Sequence, residues 1–441
     1  MTPPEPTGPP SPDPRTVEVI AGDLVAGGRA FARLEDGTPL FVAGAFPGER
    51  VRVRLQRRRA RVAEGMVTEI IDPAAERVPP PCPWADRCGG CDWMGLEYAS
   101  QLEWKRRIAA EAGRRIGKLE AAPSEAVDAS PTQHGYRGRI RVHVDRAGQI
   151  GFFARGSHEV VPIDRCAVAE ESVNRALGAL RLAAADDTAG FGRQVSGAEL
   201  RAGDESTPWA VHLFWRRRRA QPDRRLILAL AGLAADGGAV WAAGEVLHGP
   251  PRVSLKLTGD LRLHAGPLAF VQANPGANRG LVARVENLAL ELAPARGRFV
   301  DLFCGAGNFT LPLLAAGLRG TGIELSRGAI EDARFAAAAQ SLTAGGFHAG
   351  RAGGELGPLT GEAPTDLLVL DPPRSGAADS IPAIVALGPA AVIYVSCDPV
   401  TQARDCAALQ NAGYAVHSWT LHDLFPQTHH VESVLALTRG L

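Results

Sequence analysis

The run Phe299–Asn308 (FVDLFCGAGN) constrains the fold of this chain more than any other stretch. An apolar strand runs straight into a glycine-rich turn, and FTLPLLAAGL then begins a helix. Strand, glycine turn and helix open a sheet of the α/β type. Glycines there let the backbone come close to a ligand at the carboxyl edge of the strands. The texture from about residue 275 agrees. A helical pattern around LVARVENLALEL precedes the short apolar runs RFVDLF, GTGIEL, DLLVLD, AVIYVS and SVLALT. That alternation predicts a parallel sheet covered by helices.

A glycine turn by itself also fits a purely structural role. Here GTGIEL carries Glu324 near its end, about twenty residues on, where an acid can accept hydrogen bonds from a ribose. No third glycine stands at dinucleotide spacing, which disfavours a nicotinamide enzyme. Turn and acid together resemble the S-adenosylmethionine fingerprint of class I methyltransferases. The resemblance implies an α/β Rossmann-like domain with S-adenosylmethionine as methyl donor.

At 441 residues the chain is too long for one ordinary core. No apolar run approaches the roughly 20 residues of a membrane span. The start, MTPPEPTGPPSPDPR, lacks a basic segment followed by an apolar one, so residues 1–14 read as a disordered Pro-rich tail rather than a signal peptide. Seven cysteines, an odd number in a long chain, argue against a secreted disulfide scaffold and for a reducing, cytoplasmic setting. Formal net charge is zero, yet basic residues cluster at 50–61, 105–107, 114–115, 137–141 and 216–219, all before residue 230. Each cluster fits a solvated basic face, and their repetition points to phosphate contacts and RNA.

Residues 15–72 alternate as short strands with GG, DG and PG turns, the pattern of a small β barrel. With GGRAFARLEDGTPLFVAGAFPGERV they resemble a TRAM domain, an oligonucleotide-binding (OB)-type barrel that grips RNA. PPPCP at 79–83 marks a boundary. A central β-rich domain is expected over 73–270, with strands RIRVHV, QIGFFA, EVVPI, WAVHLFW, RLILAL and the run to LAFVQ. Within it a helix is expected over 96–119, with Leu102, Ile108, Ala112 and Ile116 on its apolar face, packed on the catalytic domain. The methyltransferase domain is expected over 271–441.

Motifs downstream of the fingerprint narrow the substrate. In methyltransferases that modify exocyclic amines, the motif at Asp371-Pro-Pro-Arg374 ends in an aromatic residue that stacks on the base. In RNA cytosine-carbon methyltransferases it holds the nucleophilic cysteine. Here that place holds Arg374. Carbon-5 of uracil needs a thiolate added at carbon-6 before it can attack a methyl sulfonium, and a base must then remove the carbon-5 proton. Cys397, at the end of AVIYVS, can supply the thiolate, and Glu432, in QTHHVES, the base. Taken alone, a strand-end cysteine is more often a packed small residue and a lone glutamate a solvated one. Cys304 and Cys406 read as packed.

DPPRSG, YVSCDPVTQARD and FPQTHHVESVLAL, in that order, resemble the RNA uracil-carbon-5 methyltransferase family, and Phe270-Val-Gln272-Ala-Asn274 is similar to its F-x-Q-x-N motif. The resemblance implies Cys397 as nucleophile and Glu432 as base. It implies that Gln272, Phe303, Asn308, Glu324 and Asp371 line the cofactor and base pocket, and that Phe270 stacks on a flipped-out uracil. An acid usual after the family's third strand is missing here, where Arg351 or Gly353 stands.

Cys82, Cys88 and Cys91, with the distant Cys166, make four thiols, the count for a tetrahedral zinc or an iron–sulfur cluster. Spacing does not choose between them. The pattern is similar to the [4Fe-4S] site of the large-subunit rRNA branch of the same family, which implies an iron–sulfur cluster acting as a structural clamp. The expected protein is thus a cytoplasmic monomer that makes 5-methyluridine in RNA, with 23S rRNA favoured over tRNA. A non-catalytic RNA-binding or ribosome-assembly relative is the alternative.

Overall fold

The computed structural model describes residues 15–440 apart from 60, 121, 186–189, 218–228, 230, 233, 235–236, 344 and 354–363. The expected tail, most of the expected strand RLILAL and half of the basic run 216–219 lie outside the described residues.

Strands β1 (Thr16–Ile20), β2 (Ala30–Arg33), β3 (Pro39–Ala43), β4 (Arg50–Arg59) and β5 (Val62–Asp72) form a five-stranded sheet in the order β1-β4-β5-β3-β2. Period-2 patterning explains its two faces: Val51 and Val53 of β4 are buried while Arg50, Arg52 and Arg54 face water. The basic run is partly neutralised across strands, because Arg50, Arg52 and Arg58 pair with Glu18, Glu69 and Asp36. The core of this sheet is completed by Trp93, from the cysteine-rich loop, whose indole N–H donates to Gly28 O at 2.9 Å.

Helix α1 (Tyr98–Ala112) continues through a π-helical stretch at Gly113–Gly117, shorter at both ends than the expected 96–119. Its buried positions are Gln101, Lys105, Ala109 and Ala112, and Ile116 is exposed. Of the expected apolar face, Ala112 is buried and Leu102 and Ile108 pack on cores, while Ile116 is exposed, and α1 is wedged between two bodies. Trp104 and Ile108 pack on the N-terminal sheet, while Leu102 and Ala109 pack on the C-terminal one. The polar Gln101 and Lys105 enter the seam between, and both find partners there.

The central region holds a seven-stranded sheet. Its strands are β7 (Arg139–Val144), β8 (Ile150–Phe153), β9 (Val160–Pro162), β10 (Val195–Ala202), β11 (Trp209–Trp215), β12 (Ala239–Ala242) and β13 (Glu245–His248), in the order β13-β12-β11-β10-β7-β8-β9. Helix α2 (Glu171–Ala185), which the strand reading passes over, covers it with Val173, Ala176, Leu177 and Leu180. A ribbon of β14 (Val253–Lys256) and β15 (Arg262–Ala265) comes next. LAFVQ is loop rather than strand. Its carbonyls go to side chains: Arg201 Nη2 donates to Ala269 O at 2.6 Å and Arg139 Nη1 to Val271 O at 3.2 Å.

The C-terminal sheet contains β16 (Arg298–Leu302), β17 (Arg319–Glu324), β18 (Gly345–Ala349), β19 (Leu367–Leu370), β20 (Ala391–Ser396), β21 (Tyr414–His422) and β22 (Glu432–Arg439), with β6 (Val127–Asp128) at its edge. The order is β18-β17-β16-β19-β20-β22-β21-β6. The first five strands are parallel, as the α/β rhythm predicts. The expectation of a wholly parallel sheet is corrected by β22, which inserts antiparallel between β20 and β21. Helices on both faces make this a doubly wound, Rossmann-like sheet.

Candidate active site

The strand order reverses about β16, whose neighbours β17 and β19 lead the chain in opposite directions across the sheet. Ligands of open α/β sheets bind at the carboxyl edge of such a point. The turn after β16 is strongly bent. Gly305 (φ 54°), Gly307 (φ 98°) and Phe303 (φ 63°) are all left-handed, and only the glycines take that conformation freely. For Phe303 it costs about 1–2 kcal/mol, the kind of strain that clusters at functional sites. Beneath the turn, Asp301 is fully buried and accepts from the Thr310 hydroxyl at 2.5 Å, and burial pushes its carboxyl up to about 7.

Glu324 is fixed by backbone amides. Its Oε2 accepts from Gly305 N–H at 3.3 Å and its Oε1 from Ser326 N–H at 2.8 Å. Each oxygen keeps a lone pair for a ligand hydroxyl. Gln272 Nε2 donates to Asp371 Oδ2 at 3.2 Å. Asn308 is braced by a neighbouring helix. Its amide exchanges two hydrogen bonds with Asn278, at 2.8 and 3.2 Å, so it braces the turn against the helix Pro275–Leu292.

Cys397 comes directly after the last residue of β20, and Glu432 is the first of β22. The antiparallel register pairs Ser396 with Ser433, which sets the cysteine and the glutamate side by side although they are 35 positions apart in sequence. Asp398 caps the helix Pro399–Asn411, accepting from Val400 and Thr401 N–H at 2.9 and 3.0 Å, so the chain turns sharply behind the thiol. Glu432 is buried, and its Oε2 has no hydrogen-bond partner among the described residues. Burial and then the Asp371 carboxylate raise its pKa well above the usual carboxylate range. Burial, then Glu432 and Asp371, push the Cys397 thiol up to about 12, and the guanidinium of Arg374 pulls it back.

These groups line one cavity of about 850 Å³. Phe303 and Gly305 of the glycine turn, and Glu324 and Leu325 at and just after the end of β17, line it together with Asp371, Arg374, Cys397 and Glu432. Phe270 stands at its wall, 58% exposed, with the Arg139 guanidinium 4.7 Å from its ring centroid. An exposed aromatic beside a reactive thiol is suited to stacking on a base.

The same cavity is also lined by Cys82, Cys88, Cys91 and Cys166. All four are free thiols. Burial raises the pKa of Cys88, Cys91 and Cys166, and neighbouring cysteines add to it, which marks them as mutual neighbours. The Gly90 N–H points at Cys88 Sγ at 3.4 Å. Among the described residues no group of three or more His, Cys, Asp or Glu is arranged to hold a single metal ion.

In the sequence, Arg374 serves only to exclude other chemistries. In the structure it approaches Cys397 and its Nη2 meets His430 Nε2 at 3.1 Å. Arg137, Arg139 and Arg141, which the sequence presents as a generic basic cluster, line the same cavity as the cysteines and Cys397. Their spacing of two, with β7 at one cavity wall, is the signal that places them on one face.

A switch-point crevice, a strained glycine turn and an adjacent thiol and carboxyl describe a nucleic-acid methyltransferase. Comparison with known proteins is specific. The family model described as tRNA (Uracil-5-)-methyltransferase matches residues 362–440. The chain is 37% identical to a 23S rRNA (uracil(1939)-C(5))-methyltransferase, RlmD, of Halomonas elongata, over 95% of this chain and 89% of that protein. It is 34% identical to an uncharacterized RNA methyltransferase of Streptomyces coelicolor, over 95% of this chain and 92% of that one. A crystal structure of Pyrococcus abyssi tRNA (uracil-54, C5)-methyltransferase with S-adenosyl-L-homocysteine shares the fold, with TM-score 0.71, 22% identity, and coverage of 95% of this chain and 100% of that one. The chain belongs to the RNA uracil-C5 methyltransferase family.

Proposed function

We propose that this protein methylates carbon-5 of a uridine in 23S rRNA, using S-adenosylmethionine. The observation that carries the mechanism is the β20–β22 register that sets Cys397 beside Glu432 in one cavity. The rRNA target is supported by the names of full-length relatives at 35–37% identity. Phe303, Glu324, Gln272 and Asp371 are the residues that would hold the cofactor, whose sulfonium supplies an electrophilic methyl group. The fit rests on Glu324, whose two oxygens are fixed but not saturated, and on a glycine turn that leaves the crevice open. Asn308 supports the turn from behind.

Cys397 sulfur forms a bond to uracil carbon-6, and the electron pair displaced to carbon-5 accepts the methyl group. Glu432 then takes the carbon-5 proton, the carbon-5–carbon-6 double bond re-forms, and the sulfur leaves as thiolate. Arg374 favours the thiolate at both ends of this sequence. Phe270 stacks on the extruded base. Burial gives Glu432 a high proton affinity, which suits a base that must take a proton from carbon.

Cys82, Cys88, Cys91 and Cys166 would hold a [4Fe-4S] cluster. Four unpaired thiols from two loops on one cavity, with an amide aimed at one sulfur, fit such a group. The cluster acts as a clamp, since methyl transfer from a sulfonium needs no electron. Residues 15–72 are read as a TRAM, OB-type RNA-binding barrel, 73–270 as the cluster-bearing domain and 271–441 as the methyltransferase domain of a cytoplasmic monomer. No helix among the described residues is long and apolar enough to cross a membrane.

The test is a pair of variants. Cys397→Ala should abolish methyl transfer to unmodified 23S rRNA. Glu432→Gln should leave a covalent protein–RNA adduct that survives denaturation, because the carbon-5 proton stays in place. Normal turnover by both would overturn the mechanism. Mapping 5-methyluridine in a strain lacking the gene identifies the RNA, and a site lost from tRNA instead would overturn the target.

A further inference from the structure

Residues 423–431 join β21 to β22 and deliver Glu432 at their end. Connecting loops are ordinarily the mobile parts of a site. This one is gripped from outside its own sheet. Gln101 of α1, fully buried, donates from Nε2 to Gln427 Oε1 at 3.0 Å and accepts at Oε1 from Gln427 N–H at 2.9 Å. The Trp93 N–H donates to Gln427 O at 3.0 Å. Gln427 is thereby held at φ 70°, a left-handed conformation that non-glycine residues rarely adopt. One turn further along α1, Lys105 Nζ donates to Asp423 Oδ1 at 2.7 Å and to Phe425 O at 3.1 Å, with both charged side chains fully buried. Cys397 receives none of these contacts. It stands at the end of β20, whose position is set by ladders with β19 and β22.

We infer that Gln101 and Lys105 are positioning residues for the general base: Glu432 pairs with His422 at the start of β22, and α1 clamps the loop that leads into it, whereas no such clamp reaches Cys397. This rests on the reading of Glu432 as base. Two buried amide bonds to one residue and a buried ion pair to another hold the loop at two points one helical turn apart, and two points fix its direction as well as its place. Loosening the clamp therefore separates the two halves of the reaction. The Cys397–carbon-6 bond still forms and carbon-5 still takes its methyl group. The carbon-5 proton then finds no carboxylate in reach, so the sulfur–carbon bond persists.

The experiment uses the full chain with its cluster and unmodified 23S rRNA. Gln101→Leu removes both amide bonds. Gln427→Gly is the graded second variant: glycine adopts φ 70° without strain, and the change removes only the bond from Gln101 Nε2 while both backbone bonds of residue 427 remain, so its effects should run in the same direction as those of Gln101→Leu and be smaller. The expected result is a fall in kcat of about tenfold to a hundredfold, with KM within about threefold of wild type. A denaturation-stable protein–RNA adduct accumulates that Cys397→Ala in the same background removes. Amide hydrogen exchange rises over 423–431 and stays slow over 391–396. Folded variants with wild-type kcat, or with lost turnover and no adduct, would overturn the inference, as would unchanged exchange in the loop. If the wild type forms no 5-methyluridine, the reading of Glu432 fails instead. The exchange measurement needs no turnover and still decides whether α1 holds the loop.

Discussion

The role proposed for Cys397 comes at a cost. A thiol that burial and two carboxyls push up to about 12 is a poor nucleophile in the resting protein. Arg374 is the group that opposes this, and its place beside the thiol gives it a role that its sequence position alone does not reveal. Both reacting groups lose protons as pH rises, the thiol to become a nucleophile and Glu432 to become a base. kcat/KM is therefore expected to climb with pH across the neutral range. In Arg374→Ala the thiol loses its stabilising charge, its pKa rises further, and the profile moves to higher pH. One unit of displacement lowers the rate at pH 7 about tenfold. Methyl transfer measured from pH 6 to 9 checks both the slope and its displacement. A profile that Arg374→Ala leaves in place would count against the arginine. At this scale the motif order already points to Cys397 and Glu432. It does not reveal that the Asn308 amide pairs with Asn278, because which side chain a turn residue meets is set by the neighbouring helix.

At the scale of elements, α1 departs most from its sequence pattern. Apolar spacing puts Leu102 and Ile116 inside, yet Gln101 and Lys105 are the buried ones. A buried lysine is tolerated only with a partner, and Asp423 lies more than 300 positions away, out of reach of any local pattern. Lys105→Met keeps the stem and removes the charge. Leaving Asp423 uncompensated should cost about 3–5 kcal/mol of stability. Lys105→Met with Asp423→Asn should recover part of that loss, since no buried charge is left unpaired. Denaturant melts of the two variants against wild type measure both numbers. The strands are easier to read. β16, β19 and β20 are largely apolar runs because a parallel sheet is covered on both faces. β18 is hidden because GGFHA carries two glycines and a single buried residue, Phe347, in its five positions. β21 is hidden because its place near the sheet edge leaves one face polar.

Over the whole molecule, the cysteine loop joins the parts. It contributes Trp93 to the N-terminal core, Cys82, Cys88 and Cys91 to the shared cavity, and Asp92 to His429 at 2.6 Å beside the catalytic loop. Cys166 arrives from the central region, where Asn174 of α2 holds its backbone on both sides, at 2.9 and 3.2 Å. A cluster bridging these loops should give broad visible absorbance. Cys166→Ser or oxidation should bleach it and lower the melting temperature by several degrees, about 2–4 °C for each kcal/mol lost. A colourless protein containing zinc would sink the iron–sulfur assignment. Sequence by itself determined the glycine turn, the sheet class, the order of the uracil motifs and the four thiols, because each is a local pattern of period, turn chemistry or spacing. Tertiary structure alone decided that β22 enters antiparallel beside β20, so that Glu432 meets Cys397. It alone decided that Arg374 faces the thiol and that α1 grips the loop between. Those are contacts between segments far apart in the chain, and they exist only once the elements have packed.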